Sequence, residues 1–314
     1  MKLLKNWIFY SLCTFVFFGV TNFILGYIAE VNPSGHGGNI TAAMILWVGM
    51  GCMGVISAAR FLVRYRSIPG IQAKKYIVFS AIAGVSLAIA MLSLKIGMAA
   101  DPLSKGPIVA ITSVNSLLVA FLAHLILKES LNKFHLWGML VSVGGIVVMV
   151  LGDMSTAGIL GILFGLLTMS LFSFTNFILK WLGHNGNDSI SVVTILWLSA
   201  GSFGALALAY RFFTGQNMLG LEQTNLQLLA LGAGILLGMG MLTLKLGVSH
   251  GPAGPVVAIA SSNAILVALL DRLLLGHLPA PLKLAGMLAA VLGIVIIAMG
   301  SWLLPAKQEA DGTD

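Results

Sequence analysis

Along this chain, apolar positions gather into ten runs of about 20 residues, separated by short polar breaks. The runs cover residues 7–28, 41–63, 76–99, 107–127, 134–151, 158–182, 190–213, 226–248, 254–275 and 281–304. None shows the period-two alternation of a barrel strand, so each is expected to be a helix. The breaks carry turn-forming residues: Asn32-Pro33-Ser34-Gly35, Asp101-Pro102, Asn185-Gly186 and Pro279-Ala280-Pro281. Pro107, Pro255 and Pro281 stand where helices begin, a position that needs no N–H.

The runs also repeat. Thr21-Asn22-Phe23-Ile24-Leu25 recurs as Thr175-Asn176-Phe177-Ile178-Leu179, and Ile45-Leu46-Trp47 as Ile195-Leu196-Trp197. Met91-Leu92-Ser93-Leu94-Lys95 returns as Met241-Leu242-Thr243-Leu244-Lys245, and Gly106-Pro107-Ile108-Val109-Ala110 as Gly254-Pro255-Val256-Val257-Ala258. Asn115 matches Asn263, and Gly138-Met139-Leu140 matches Gly286-Met287-Leu288. The order of segments is kept and only loop lengths drift, so one unit is used twice: residues 1–155, then residues 156–306, with a tail at 307–314. Each unit has an odd number of runs, so the second must enter a membrane upside down relative to the first. The expected fold is an all-α integral membrane protein with ten transmembrane helices as two inverted five-helix repeats.

Composition agrees with that class. Hydrophobic residues make up 58% of 314 and charged residues 9%, with a mean hydropathy of +1.01. A soluble fold would lack polar surface to cover itself, whereas lipid solvates apolar side chains. The net charge of +7 reflects cations in short loops, which fix orientation and do not signal nucleic acid. Arg60, Arg64, Arg66, Lys74 and Lys75 flank the second loop, Lys128 and Lys133 the fourth, and Lys2 and Lys5 precede the first run. The first loop has no Lys or Arg. Both termini are thereby expected in the cytoplasm, in a multi-pass protein of the cell (inner) membrane. The run at 7–28 is too long for a signal peptide core and is read as a retained first helix. Cys13 and Cys52 fall inside runs, so they imply no disulfide framework.

The paired units, with residues 106–151 and 254–299 each forming a Pro-led helix, a short turn and a Gly-rich helix, resemble the EamA repeats of the drug/metabolite transporter superfamily. The resemblance spans nearly the whole chain except the tail from Lys307. It implies a ten-helix carrier of small metabolites, with the first four helices of each unit lining a central cavity and the fifth and tenth outside it. The chain departs from the related small multidrug pumps, which use an acid within their first helix: the run at 7–28 has neither Asp nor Glu. A proton-coupled exporter of lipophilic cations is therefore disfavoured.

Several repeated residues are candidates for a substrate site. Asn22 and Asn176 are amides that hydrocarbon cannot satisfy; they face either a wet cavity or a partner helix. Ser11, Thr14, Thr21 and Asn22 share one side of the first run, as Ser173, Asn176 and Lys180 do on the sixth. Trp47 and Trp197 are each followed by glycines at four and seven residues, giving either an indole platform for a sugar or cation, or a tight helix contact. Ser113 and Asn115 in the fourth run match Ser261 and Asn263 in the ninth, and are expected to line the cavity or bridge helices. Lys95 and Lys245 would attract a carboxylate or phosphate if they face inward; near the run ends they can instead extend toward the interface.

No P-loop, His-Glu-x-x-His, serine elbow or Asp-rich metal motif occurs, so no cofactor or metal is expected and no enzymatic activity is assigned. The expected function is secondary active transport of a small polar metabolite, such as an amino acid or sugar, by alternating access. An anionic solute becomes the alternative if the lysines converge. Rivals from other classes are an intramembrane enzyme and a non-transporting scaffold with an interface on the Gly-rich fifth and tenth helices. Partners would be the solute, the lipid bilayer, and a coupling ion or counter-substrate. Reporters inserted beside Lys74 and beside Gly158 are expected to label from opposite faces of the bilayer; labelling from one face would rule out the inverted arrangement.

Overall fold

The computed structural model describes residues 7–31, 36–100, 111–112, 114–129, 131–151, 159–214, 223–276 and 281–303. Every described element is helical. In chain order they are α1 (Trp7–Val31), α2 (His36–Tyr65), α3 (Lys74–Ala100), α4 (Asn115–Leu127), α5 (Lys133–Leu151), α6 (Ile159–His184), α7 (Ser189–Phe213), α8 (Thr224–His250), α9 (Ala253–Ser261), α10 (Ala264–Leu270) with a π turn at Asp271–Leu275, and α11 (Pro281–Leu303). Seven spans are long and apolar enough to cross a membrane by length and composition. Asn115–Leu127, Lys133–Val148 and Leu284–Ile297 are shorter apolar helices. Residues 107–110 of the expected fourth run, the tail at 307–314 and Ser113 lie outside the described residues.

The apolar side chains that face outward make sense only in lipid. Val63 is 88% exposed and Phe213 83%, a cost that water would charge and hydrocarbon does not. Without a hydrophobic drive between helices, cohesion rests on close packing and interhelical hydrogen bonds. Both follow the duplication. α1 packs on α8 and α3 on α6; α2 packs on α7, α4 on α9, and α5 on α11; α2 reaches α8 as α3 reaches α7. Exchange the halves and each of these partnerships maps onto itself or another member of the set.

The reciprocity extends to single atoms. Thr21 Oγ1 donates to Ala233 O at 3.3 Å, and its repeat mate Thr175 Oγ1 donates to Ala83 O at 3.3 Å. At the α2–α7 crossing Gly51 and Gly201 meet backbone to backbone, so a Cβ on either would strike the other's Cα. Gly54 lies under Trp197 and Gly204 under Trp47. Gly145 packs on the backbone of Gly286 and Ala290, and Gly293 on that of Gly138 and Ser142. The small-residue faces of α5 and α11 are thus spent on one another.

The ninth run is not one helix. Between α9 and α10 the i→i−4 ladder gives way to tighter bonds: Ser262 N to Ile259 O at 3.3 Å, Asn263 N to Ala260 O at 3.3 Å, and Ile265 N to Ser262 O at 3.0 Å. The repeat-equivalent stretch does likewise, with Val114 N to Ile111 O at 3.2 Å and Leu117 N to Val114 O at 3.0 Å. Such breaks need local partners at membrane depth. Ser262 Oγ supplies one by donating to Ala258 O at 2.9 Å; it also lies 2.7 Å from Ser142 Oγ of α5. Asn263 Nδ2 supplies another by donating to Ala260 O at 2.8 Å.

The helix ends at one pole of the bundle are tied together. Asp188 N donates to Gly70 O at 2.9 Å, Gln72 N to Asn187 Oδ1 at 3.0 Å, and Tyr76 Oη to Asn185 Oδ1 at 3.2 Å. Asp188 also caps α7 by accepting from Ser191 N at 2.9 Å. Gly70 turns here with φ +72, where a Cβ would also run into Asp188.

Two glycine substitutions should have opposite signs. Gly201→Ala is expected to destabilise by about 1–3 kcal/mol through overpacking at the crossing. Gly144→Ala, where a Cβ meets nothing within 4 Å, is expected to stabilise by about 0.5–1 kcal/mol from helix propensity. Thermal unfolding of the purified variants measures both.

Candidate functional site

Sequence candidates gather at each break: Asn22 with Asn263 at one, and Asn115 with α6, which carries Asn176, at the other, while α9 packs on both α1 and α4. Asn22 Nδ2 of α1 donates to Asn263 Oδ1 at the α9–α10 break, 2.8 Å away. Asn22 is exposed although it lies within an apolar helix. Two amides from different halves therefore form one closed pair at an open face, held in orientation by the Asn263 bond to Ala260 O.

At the equivalent place in the other half the pair is not closed. Asn115 starts α4 just past its break; it is 7% exposed, and its Oδ1 has no hydrogen-bond partner. Ser116 beside it is fully buried and its Oγ also lacks a partner. α4 packs on α6, which carries Asn176 at intermediate exposure. Ser173 Oγ of α6 bonds Met169 O at 2.7 Å and Asn115 O at 3.4 Å, which fixes α6 against the break. An unfilled amide oxygen and an unfilled hydroxyl in a low-dielectric interior each carry a desolvation cost that a hydrogen-bond partner would remove. Ser261 is half-buried beside the second break.

The hydroxyls that share a face with Asn22 serve packing. Ser11 Oγ bonds Trp7 O at 2.7 Å, Thr14 Oγ1 lies 2.9 Å from Thr243 Oγ1 of α8, and Thr21 holds Ala233 O. All three are fully buried, so this face turns from packing to open space only at Asn22.

Trp47 and Trp197 sit in the α2–α7 core, 0% and 3% exposed. Trp47 packs edge-on against Phe203, with ring centroids 5.8 Å apart. Their indoles differ in one respect: Trp197 Nε1 donates to Gly238 O at 3.1 Å, whereas Trp47 Nε1 is buried without a partner. The repeat mate of Gly238 is Ala88. A Cβ at Gly238 would stand 3.3 Å from Trp197 Nε1, and Ala88 carries that methyl in the other half.

Lys95 and Lys245 are not brought together. Lys95 is half-buried near the C-terminal end of α3, and Lys245 is wholly buried near the C-terminal end of α8. The start of α3 and the end of α8 belong to the tied pole, so the two amines lie toward opposite ends of the bundle. Lys245 Nζ donates to Ser249 Oγ at 2.7 Å and occupies the space left by Gly183, next to the negative C-terminal ends of α6 and α8.

On sequence, Lys180 stands only on the face it shares with Asn176, and the structure gives it a partner. Lys180, one turn past Asn176, pairs with Glu129 at 3.2 Å, the one salt bridge among the described residues. The signal was present: Thr-Asn-Phe-Ile-Leu is followed by Gly26 in one copy and by Lys180 in the other.

Comparison with known proteins bears on the fold. No family model matches the sequence, and no curated protein matches it either. A crystal structure of another protein superposes with a TM-score of 0.73 over 96% of this chain and 99% of that one, at 15% identity. Likeness at that identity is one of architecture. Replacing Gly238 by Ala should break the Trp197 bond and leave a second buried indole N–H unpaired. The expected cost is about 1–3 kcal/mol, read as a lowered unfolding midpoint, with a smaller drop from the same substitution in a Trp197→Phe background.

Proposed function

We propose that this protein is a secondary transporter that moves a small polar solute across the membrane by alternating access, on a scaffold similar to the EamA repeats of drug/metabolite transporters. In this reading ten helices cross the bilayer as two inverted five-helix units, and the cytoplasmic face is the pole rich in Lys and Arg. The exchange symmetry of the helix contacts supports it, because a two-fold that exchanges units of five crossings lies in the membrane plane.

The observation that carries the function is the unequal filling of two equivalent amide sites. Asn22 Nδ2 fills Asn263 Oδ1, while Asn115 Oδ1 and Ser116 Oγ remain buried and unpartnered. Interrupted helices near mid-membrane are where secondary transporters hold their substrates. A solute with a hydrogen-bonding pair fits there, bridging Asn115, Ser116 and Asn176 in the way that Asn22 bridges to Asn263. Amides and hydroxyls dominate this lining, so a neutral or zwitterionic solute such as a sugar or amino acid is favoured. A carboxylate or phosphate held between Lys95 and Lys245 is disfavoured by the separation of those amines. The scaffold alternative is disfavoured, since Gly138, Gly145 and Gly293 are spent on the contact between α5 and α11.

Solute counterflow in proteoliposomes tests transport, and a thermal-shift screen of polar metabolites finds the substrate. Asn115→Leu and Asn176→Leu should each weaken binding by about 3–10-fold, the worth of one neutral hydrogen bond. Unchanged affinity in both would remove this site from the mechanism.

A further inference from the structure

The Glu129–Lys180 pair joins the two halves at the pole where the helix ends are tied. Glu129 follows α4 in the first half; its backbone is held by Glu129 N to Ala123 O at 3.3 Å and by His124 Nδ1, 2.9 Å from Glu129 O. Its carboxylate accepts from Ala253 N at 3.3 and 3.2 Å, capping the start of α9, and pairs with Lys180 of α6 at 3.2 Å. Lys180 Nζ also donates to Gly251 O at 2.8 Å, at the α8–α9 turn. Two side chains thus clamp α4, α6 and the α8–α9 turn, the elements that converge on the helix breaks. The side chains are 14% and 15% exposed, so the pair is shielded and charge-assisted.

The repeat provides an internal control. The mate of Lys180 is Gly26, one turn beyond Asn22 on α1. Both Gly26 and Asn22 are exposed, and a Cβ at Gly26 would meet no described residue within 4 Å. An amide facing hydrocarbon would be costly, so this face looks onto water. Equivalent positions in the two halves are therefore open at one pole and clamped at the other.

We propose that Glu129 and Lys180 form a latch that closes the solute pathway at the Lys180 pole while it stands open at the Gly26 pole. Release of the latch frees α9 from α4 and α6 and opens the pathway to the second side. This rests on the transport reading, and it assigns the gate to named residues. It also explains why Glu129 bonds backbone as well as lysine: the carboxylate reads the position of α9, and the ammonium reads that of α8.

The test uses full-length protein in vesicles of either orientation, with Cys13 and Cys52 replaced by serine and a single reporter, Asn176→Cys or Gly26→Cys. A membrane-impermeant maleimide is added from one side. With the latch intact, Asn176→Cys should react from the Gly26 side and resist reagent from the Lys180 side. Glu129→Gln and Lys180→Met should each raise labelling from the Lys180 side by about tenfold, the scale of one charge-assisted contact. Gly26→Cys in the same variants verifies that the fold is kept, and if one variant does not fold the other carries the measurement. Exchange of the two residues (E129K with K180E) should not restore closure, since the ammonium would face Ala253 N–H and the carboxylate Gly251 O. Labelling from the Lys180 side that stays at the intact level in both single variants would overturn the latch, whatever solute counterflow shows. Conversely, increased labelling without any counterflow by the protein that retains Asn176 would uphold the latch and count against transport.

Discussion

Hydrocarbon offers no hydrogen bonds, so a helix may be interrupted at membrane depth only where the protein itself replaces what is lost. The structure meets that requirement at the α9–α10 break, where Ser262, Asn263 and Ser142 take over. The other break has the same tightened backbone, yet Val114 stands where Ser262 does and offers no hydroxyl. Asn115 and Ser116 are left there with unfilled polar atoms. The two repeat elements thus differ in how the polar atoms of their described residues are filled.

Around those breaks, the bundle is assembled from contacts that serve both halves. Thr21 and Thr175 bond carbonyls across the helix pairs, and the glycines of α2, α7, α5 and α11 let backbones touch. Since lipid is as apolar as leucine, this packing carries what burial would carry in a water-soluble core. The tied pole adds a polar layer of Gly70, Gln72, Tyr76, Asn185, Asn187 and Asp188, which joins the α2–α3 and α6–α7 turns.

The helices were legible because lipid imposes their length and because turn residues mark their ends. The run at 190–213 is α7 almost to the residue, and the Asn185-Gly186 break is the α6–α7 turn. The interruption of the ninth run was not legible. Ser261, Ser262 and Asn263 lie in it without Pro or Gly, and what stabilises the break includes Ser142, far away in sequence. Asn22 and Asn263 were each readable as candidates, but their pairing needed the fold. The tryptophans illustrate the reverse limit: an aromatic beside glycines is the same pattern whether it lines a cavity or fills a crossing. The lysines failed to converge for a geometric reason, because residues related by the exchange of halves share a depth only near its axis.

Gly51 and Gly201 touch their own counterparts, as identical residues do on the axis of a two-fold homodimer. A dimer of separate, identical subunits would have to carry every substitution on both sides. Fusion into one polypeptide lifts that constraint: each half can drift alone, so a lysine can arise on one side while glycine stays on the other. The inequality between Gly26 and Lys180 is a difference that a homodimer could not hold, and it gives the molecule a built-in polarity between its two ends.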